Sequence, residues 1–267
     1  HISALRTEQV ASLLPGQLDG LNDADITNLL PAQVAALRVS QLDSLTSDQI
    51  QGLETADITQ MGVDALASLD SDQMLSLTPA HFGAMSTAQL RALVTEVVAA
   101  LDNDDIAALS TAQLVSLSDA QITALRTDQV AGISASKISA LTTAQIVALE
   151  TADFRGLTAQ QLNALTSAQL VAMQAADVSA LTSDQLNTLY TNQLRILETA
   201  DIAGLSSDQV RGLAEGQVSS LTPSQVSAIE NVDLAAMRTA QIEALLTQQV
   251  AALTTGQIAA LRTDQVL

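Results

Sequence analysis

From Leu5 to Leu261, every eighth residue is Leu, Met or Ile, through 33 positions without a slip of frame. A second series, three residues earlier, runs from Ile2 through Val10 and Leu18 to Val266 and is apolar at all 34 of its positions. The chain is one octapeptide repeated. Periodicity on this scale marks a solenoid or fibre, in which each unit buries its apolar face only against neighbouring units. Numbering the octad from the Leu of Leu141-Thr142-Thr143-Ala144-Gln145-Ile146-Val147-Ala148 puts the second apolar site at position 6. Position 5 is Gln in 22 of 34 cases and Asp in seven, and position 8 is mostly Ala, Ser or Gly.

The polar positions predict where a helix starts. Position 2 is Ser or Thr in 13 octads, and 11 of these carry Gln at position 5. That spacing is a capping box: the hydroxyl accepts the amide of the third helical residue, and Gln reaches back to the amide of the cap. Pro15, Pro31, Pro79 and Pro223 all fall at position 3. There, at the first helical residue, a missing N–H costs nothing. Each octad is therefore predicted to form a short helix over positions 3 to 8, with a turn around the next leading apolar residue.

Two alternatives fit less well. In one continuous helix, eight residues at about 100° each leave about 80° of drift per octad, so the apolar sites would spiral round the surface. On a strand, positions 6 and 1 would point to opposite faces, which weighs against a β-solenoid. The expected fold is all-α: a solenoid of short capped helices, two or three octads per coil, running as a single uninterrupted tract over residues 1–267 and cut from a longer one. The small residue at position 8 predicts close approach between elements, with Asn28, Gln60, Thr188 and Ile196 as local loosening or coil ends. A variant octad, Leu53-Glu54-Thr55-Ala56-Asp57-Ile58, recurs at Leu101, Leu149 and Leu197, 48 residues apart. Six octads make two turns of three or three turns of two; the residues at position 2 lean toward three.

Composition narrows the function. The formal charge is −19, with one Lys and nine Arg. That argues against nucleic-acid binding and favours solubility. No Cys is present, which removes disulfides and thiolate chemistry. No apolar run is long enough for a membrane helix.

The stretch LTTAQIVAL at Leu141 to Leu149, with relatives such as LSTAQLVSL, LTSDQLNTL and LTTGQIAAL, resembles octapeptide tracts in very large bacterial secreted or cell-surface proteins of the adhesin-like, haemagglutinin or haem-utilisation-like kind. The resemblance covers the whole chain and implies an extracellular or cell-surface location. Leu221-Thr222-Pro223-Ser224-Gln225 also looks like the first helix of a TAL-effector repeat. The second helix, the base-reading loop and the basic charge are missing, so DNA binding is not carried over.

Among candidate sites, Asp102, Asp104 and Asp105 are the best metal ligands, because closely spaced carboxylates offer Ca²⁺ several hard oxygens. The competing expectation is a set of acids favoured by the helix N-terminus. Asp57, Asp105, Asp153 and Asp201 could form a regular surface row of carboxylates; the favoured expectation is that Asp at position 5 substitutes for Gln near the helix start, often with Thr at position 3 as the cap. Such a row offers no pocket to separate their pKa values for acid–base catalysis, and no enzyme activity or cofactor other than calcium is expected. His1 and His81, at position 5, are expected as polar substitutes for Gln, and Tyr190 as a surface residue. Val97-Val98-Ala99-Ala100-Leu101 reads as core. The expected role is structural, forming or spacing a filament, sheath or surface layer through end-to-end self-association. The alternative is the stalk or binding module of an adhesin, with a cell-surface or glycan ligand.

Overall fold

The computed structural model describes residues 2–18 and 20–266. Among these described residues the secondary structure is a succession of 33 short α-helices, none longer than six residues, after a 3-10 turn at Ile2–Ala4. Among the described residues there is no strand, so the β-solenoid is excluded. Helices this short cannot persist alone in water, because nucleation costs more than a few bonds return. Packing has to hold them, and the octad frame shows how.

Each helix follows the predicted start. The N-cap is position 2 in extended conformation, as at Thr142 (φ −69°, ψ 159°), and the helix Thr143–Ala148 then fills positions 3 to 8. Position 1 of the next octad, Leu149 (φ −64°, ψ 143°), is extended again. Two extended residues therefore link successive helices, and the connection is reached with negative φ throughout. No described residue has a positive φ, so the repeat does not depend on glycine. Pro31, Pro79 and Pro223 each open a helix, as their position predicts.

Within each unit, helices pack on the third helix along the chain, as Thr199–Ala203 packs on Pro223–Ala228 and Ser207–Gly212 on Asn231–Ala236. Three octads, 24 residues, therefore make one coil. The chain forms two compact units, His1–Ile133 and Ser134–Leu267, and each is built in this way. Positions 1 and 6 form the interior: Phe82, Leu90 and Ile106 in the first unit and Phe154, Leu162 and Leu194 in the second are at most 1% exposed. Each such side chain contributes about 1.5–3 kcal/mol on burial.

The small residue at position 8 has a steric cause. A Cβ added at Gly212 would lie 2.9 Å from the Ser183 Cβ of the coil beneath, and one at Gly132 would lie 3.7 Å from the Asn103 Cβ. Position 8 therefore rests on position 3 one coil earlier. Gln60, Thr188 and Ile196 nevertheless close full six-residue helices, so the helix is not loosened there. Gln60 is exposed, and Thr188 and Ile196 are half-buried.

Candidate functional site

The feature that organises both units is the side chain at position 5. The reciprocal capping box forms as the sequence predicts: Thr166 N–H donates to Gln169 Oε1 (2.8 Å), and Gln169 N–H donates to Thr166 Oγ1 (3.3 Å). The same Gln has a second task. Its Nε2 donates to the carbonyls of Ile138 and Leu141, 31 and 28 residues earlier, both at 2.8 Å. Those carbonyls lie at the C-terminal end of the helix Ala135–Ile138 and in the link after it. One amide thus satisfies an orphan N–H of its own helix and the orphan carbonyls of a helix end in the coil below.

The pattern recurs within both units. Gln41 bonds Val10 and Leu13, Gln89 bonds Ile58 and Met61, Gln121 bonds Leu90 and Leu93, and Gln225 bonds Leu194 and Leu197. All four are buried. This glutamine clamp persists where no hydroxyl caps the helix: after Leu30, Ala214 and Leu246, the side chains of Gln33, Gln217 and Gln249 still donate to the carbonyls of Leu5, Leu189 and Leu221. The octad pattern had accounted only for the capping half. The signal for the other half was Gln retained at position 5 where position 2 cannot cap.

Arg at position 2 adds a further link. The guanidinium groups of Arg38, Arg126 and Arg262 donate to the carbonyls of Ala11, Ala99 and Ala235, each 27 residues earlier. Arg126 and Arg262 also pair with Asp128 (3.1 Å) and Asp264 (3.0 Å). These ion pairs are exposed and contribute little to stability.

The acids at position 5 are not a surface row. Asp57 and Asp105 in the first unit, and Asp153 and Asp201 in the second, are 1 to 6% exposed. They occupy the clamp position, so the interior takes them. The caps of their helices are Glu54, Asp102, Glu150 and Glu198 at position 2, while Thr55, Thr151 and Thr199 are first helical residues rather than caps. The carboxylate replaces the capping half of Gln: Glu54 N–H donates to Asp57 Oδ2 (2.7 Å) and Asp102 N–H to Asp105 Oδ2 (3.0 Å). A carboxylate cannot donate to the coil below, so it needs a donor from there. Thr151 supplies one to Asp177 (2.8 Å), and Ser207 supplies one to Asp233 (2.5 Å), each from position 3, 26 residues earlier.

At Asp57, Asp105 and Asp201 the residue 26 positions earlier is Pro31, Pro79 or Ala175, none of which has a hydroxyl. Oδ1 of Asp57 and of Asp105 is buried with no hydrogen-bond partner. Burial pushes the carboxyl of Asp57 up, against the lowering effect of the Glu54 amide, and the Glu54 charge raises it further. Burial likewise raises Asp105 to about 6, with Asp102 and Asp104 adding repulsion. Asp201 is raised by burial and by the charges of Glu198 and Asp177.

His81 takes the same place as Gln. Thr78 N–H donates to its Nδ1 (3.1 Å), and its Nε2 pairs with the Leu53 carbonyl (2.8 Å). An imidazole bonded in this way is neutral and protonated on Nε2. Burial lowers its pKa, while the Leu53 carbonyl acts in the opposite direction. His1 lies outside the described residues. Tyr190 is 57% exposed, as expected; Val97, Val98 and Leu101 are core, whereas Ala99 is half-buried and Ala100 is exposed.

The three calcium candidates play three different parts. Asp102 is the cap, with Oδ1 accepting from Asp105 N–H (2.8 Å); Asp104 is exposed; Asp105 is buried. Among the described residues no group of three or more His, Cys, Asp or Glu side chains is placed to hold a metal. Of the surface depressions, one of about 640 Å³ in the second unit is lined by Asn187, Arg211, Glu215 and Arg238, among others. Arg238 there also donates to the Leu213 carbonyl (3.0 Å). No described helix is long and apolar enough to cross a membrane.

Short helices stacked in register, many of them tied to the coil beneath by one repeated polar side chain, define a tandem-repeat protein of the helical solenoid type. The ALTTAQ repeat matches at residues 98–135, 146–183, 187–223 and 226–263, more than half of the chain, and the chain belongs to that family. Residues 140–145 spell the motif itself and include a cap, Thr142, and its clamp, Gln145. No curated protein matches the chain.

Proposed function

We propose that this protein is a structural repeat protein that forms or spaces an extracellular bacterial filament, sheath or surface layer, without catalytic activity of its own. The glutamine clamp carries the reading. Wherever Gln holds position 5 the same amide meets the same carbonyls one coil earlier, so length can grow by repetition without any new kind of contact. A coil end on any such solenoid presents unclamped carbonyls or free Gln amides, which suits end-to-end association. Heterologous contacts of that sort generate open filaments when they do not close. The charge of −19 opposes lateral clumping and does not suit nucleic acid.

The second reading, the stalk or binding module of an adhesin, draws on the depression at Arg211 and Arg238. Two guanidinium groups beside Asn187 suit an acidic glycan. Neither reading needs a cofactor.

Electron microscopy and light scattering on native material test the proposal. Elongated particles or fibres are expected. A compact, monodisperse particle would contradict the filament reading, and retention on an acidic glycan column would favour the stalk.

A further inference from the structure

In the first unit, Asp57, His81 and Asp105 follow one another at 24-residue intervals, one per coil, on the stacked helices Thr55–Gln60, Pro79–Ala84 and Asn103–Ala108. Gln33 precedes them and Gln129 follows, both buried clamps. Three successive coils therefore replace the neutral amide with groups that titrate. Both acids lack the hydroxyl that Thr151 and Ser207 give to Asp177 and Asp233, because proline stands in its place. Both leave Oδ1 buried and unpartnered. An ionised carboxylate can only accept there. A neutral carboxyl regains an O–H donor, the function that Nε2 of Gln performs toward the coil below.

We propose that the Asp57–His81–Asp105 column is a proton-responsive joint: the three coils lock when the two carboxyls are protonated and loosen when they ionise. It holds whether the tract serves as filament or stalk.

The surroundings agree with this. Asp57 faces Glu54 at its own cap, no titratable group on the helix Pro31–Val34 below, and His81 above. Asp105 faces Asp102 and Asp104 on its own element and His81 below. The helix above it, Thr127–Gly132, brings Asp128, which is paired with the cap residue Arg126; Arg126 is also held by the carbonyls of Ala99 and Leu101. His81 therefore lies between two acids and contributes no positive charge while its Nδ1 accepts from Thr78.

The sign follows from linkage. A carboxyl whose folded pKa is raised stabilises the fold fully below its unfolded value, and that contribution is lost as pH rises through the folded value, about 6 for Asp105. His81 acts oppositely: its lowered pKa stabilises above the ordinary imidazole value of 6.5 and is lost as pH falls through the folded one. Replacing His81 by Gln, the usual clamp, isolates the carboxyls.

The test is hydrogen exchange on the full chain carrying His81→Gln, read as protection factors in residues 55–60, 79–84 and 103–108. Protection should be about tenfold greater near pH 5 than near pH 7.5, while residues 207–212, where Ser207 serves Asp233, show no such gain. Adding Asp57→Asn and Asp105→Asn should abolish the difference. Pro79→Ser, which restores a hydroxyl beneath Asp105, should raise protection at the higher pH. Equal protection at both pH values, or a gain that survives both Asn substitutions, would overturn the proposal. Carbon-detected NMR titration of Asp105 in the unsubstituted protein decides the matter if the variants do not fold: a midpoint near 6 supports the joint, and one near 3.8, the ordinary value, refutes it.

Discussion

At the scale of the residue, stability rests on position 5 as much as on the apolar sites. Gln169 makes one bond to its own cap and two to the coil below. Leu has similar volume and can make none of them. Gln169→Leu should lower stability by about 3 kcal/mol, since each buried polar group left unmet costs about 1–3 kcal/mol. Gln160→Leu, at an exposed site in the preceding helix, should leave the melting temperature nearly unchanged. Thermal melts followed by circular dichroism compare the two; equal effects would mean that the clamp contributes nothing. The capping half of this residue was legible in the sequence, because its two partners lie only three residues apart. The clamping half was not, because its partners lie 28 and 31 residues away and the number of octads per coil sets which carbonyls they are. For the same reason the acids at Asp57 and Asp105 read as surface residues: a carboxylate at a helix start is commonly solvated, and only the coil geometry shows that this start faces the interior.

At the scale of the element, the octad tolerates change where its backbone groups are already spare. Thr158 is extended (φ −74°, ψ 160°) before the helix Ala159–Ala164, the conformation that a following proline requires. Ala159→Pro should therefore be neutral or stabilising by up to about 1 kcal/mol, through a less flexible unfolded chain. Val171→Pro, inside the helix Ser167–Ala172 and exposed, should cost about 3 kcal/mol or more. Melting temperatures that moved alike would show that the helix start is misplaced. Gly212→Ala should lose stability despite the better helix propensity of Ala, because its Cβ would sit 2.9 Å from that of Ser183. Helix starts were legible from Thr-x-x-Gln spacing and proline placement. The extended two-residue link was not, since it uses no glycine or other marked turn residue.

At the scale of the molecule, the coil of three octads is the unit of construction. Deleting residues 205–228 removes one coil and brings Asp233 over Ser183, which again offers a hydroxyl. That chain should keep its helical signal per residue and a cooperative melt. Deleting residues 205–208 alone puts clamp positions where core positions belong and should break the stack there. Circular dichroism of the two chains checks this. The sequence showed the octad without ambiguity but left coils of two and three octads open, because a 48-residue superperiod divides by both. The central claim, that coils of three octads stack in one register, is tested most directly by engineered cysteines, since the chain has none. The Cβ of Asn103 lies 3.7 Å from the position a Cβ would take at Gly132, within the span of a disulfide. Asn103→Cys with Gly132→Cys should form an intramolecular disulfide on mild oxidation, identified by peptide mass spectrometry, while Thr111→Cys with Gly132→Cys, the pair that a two-octad coil would bring together, should not. A disulfide in the second pair and none in the first would contradict the account.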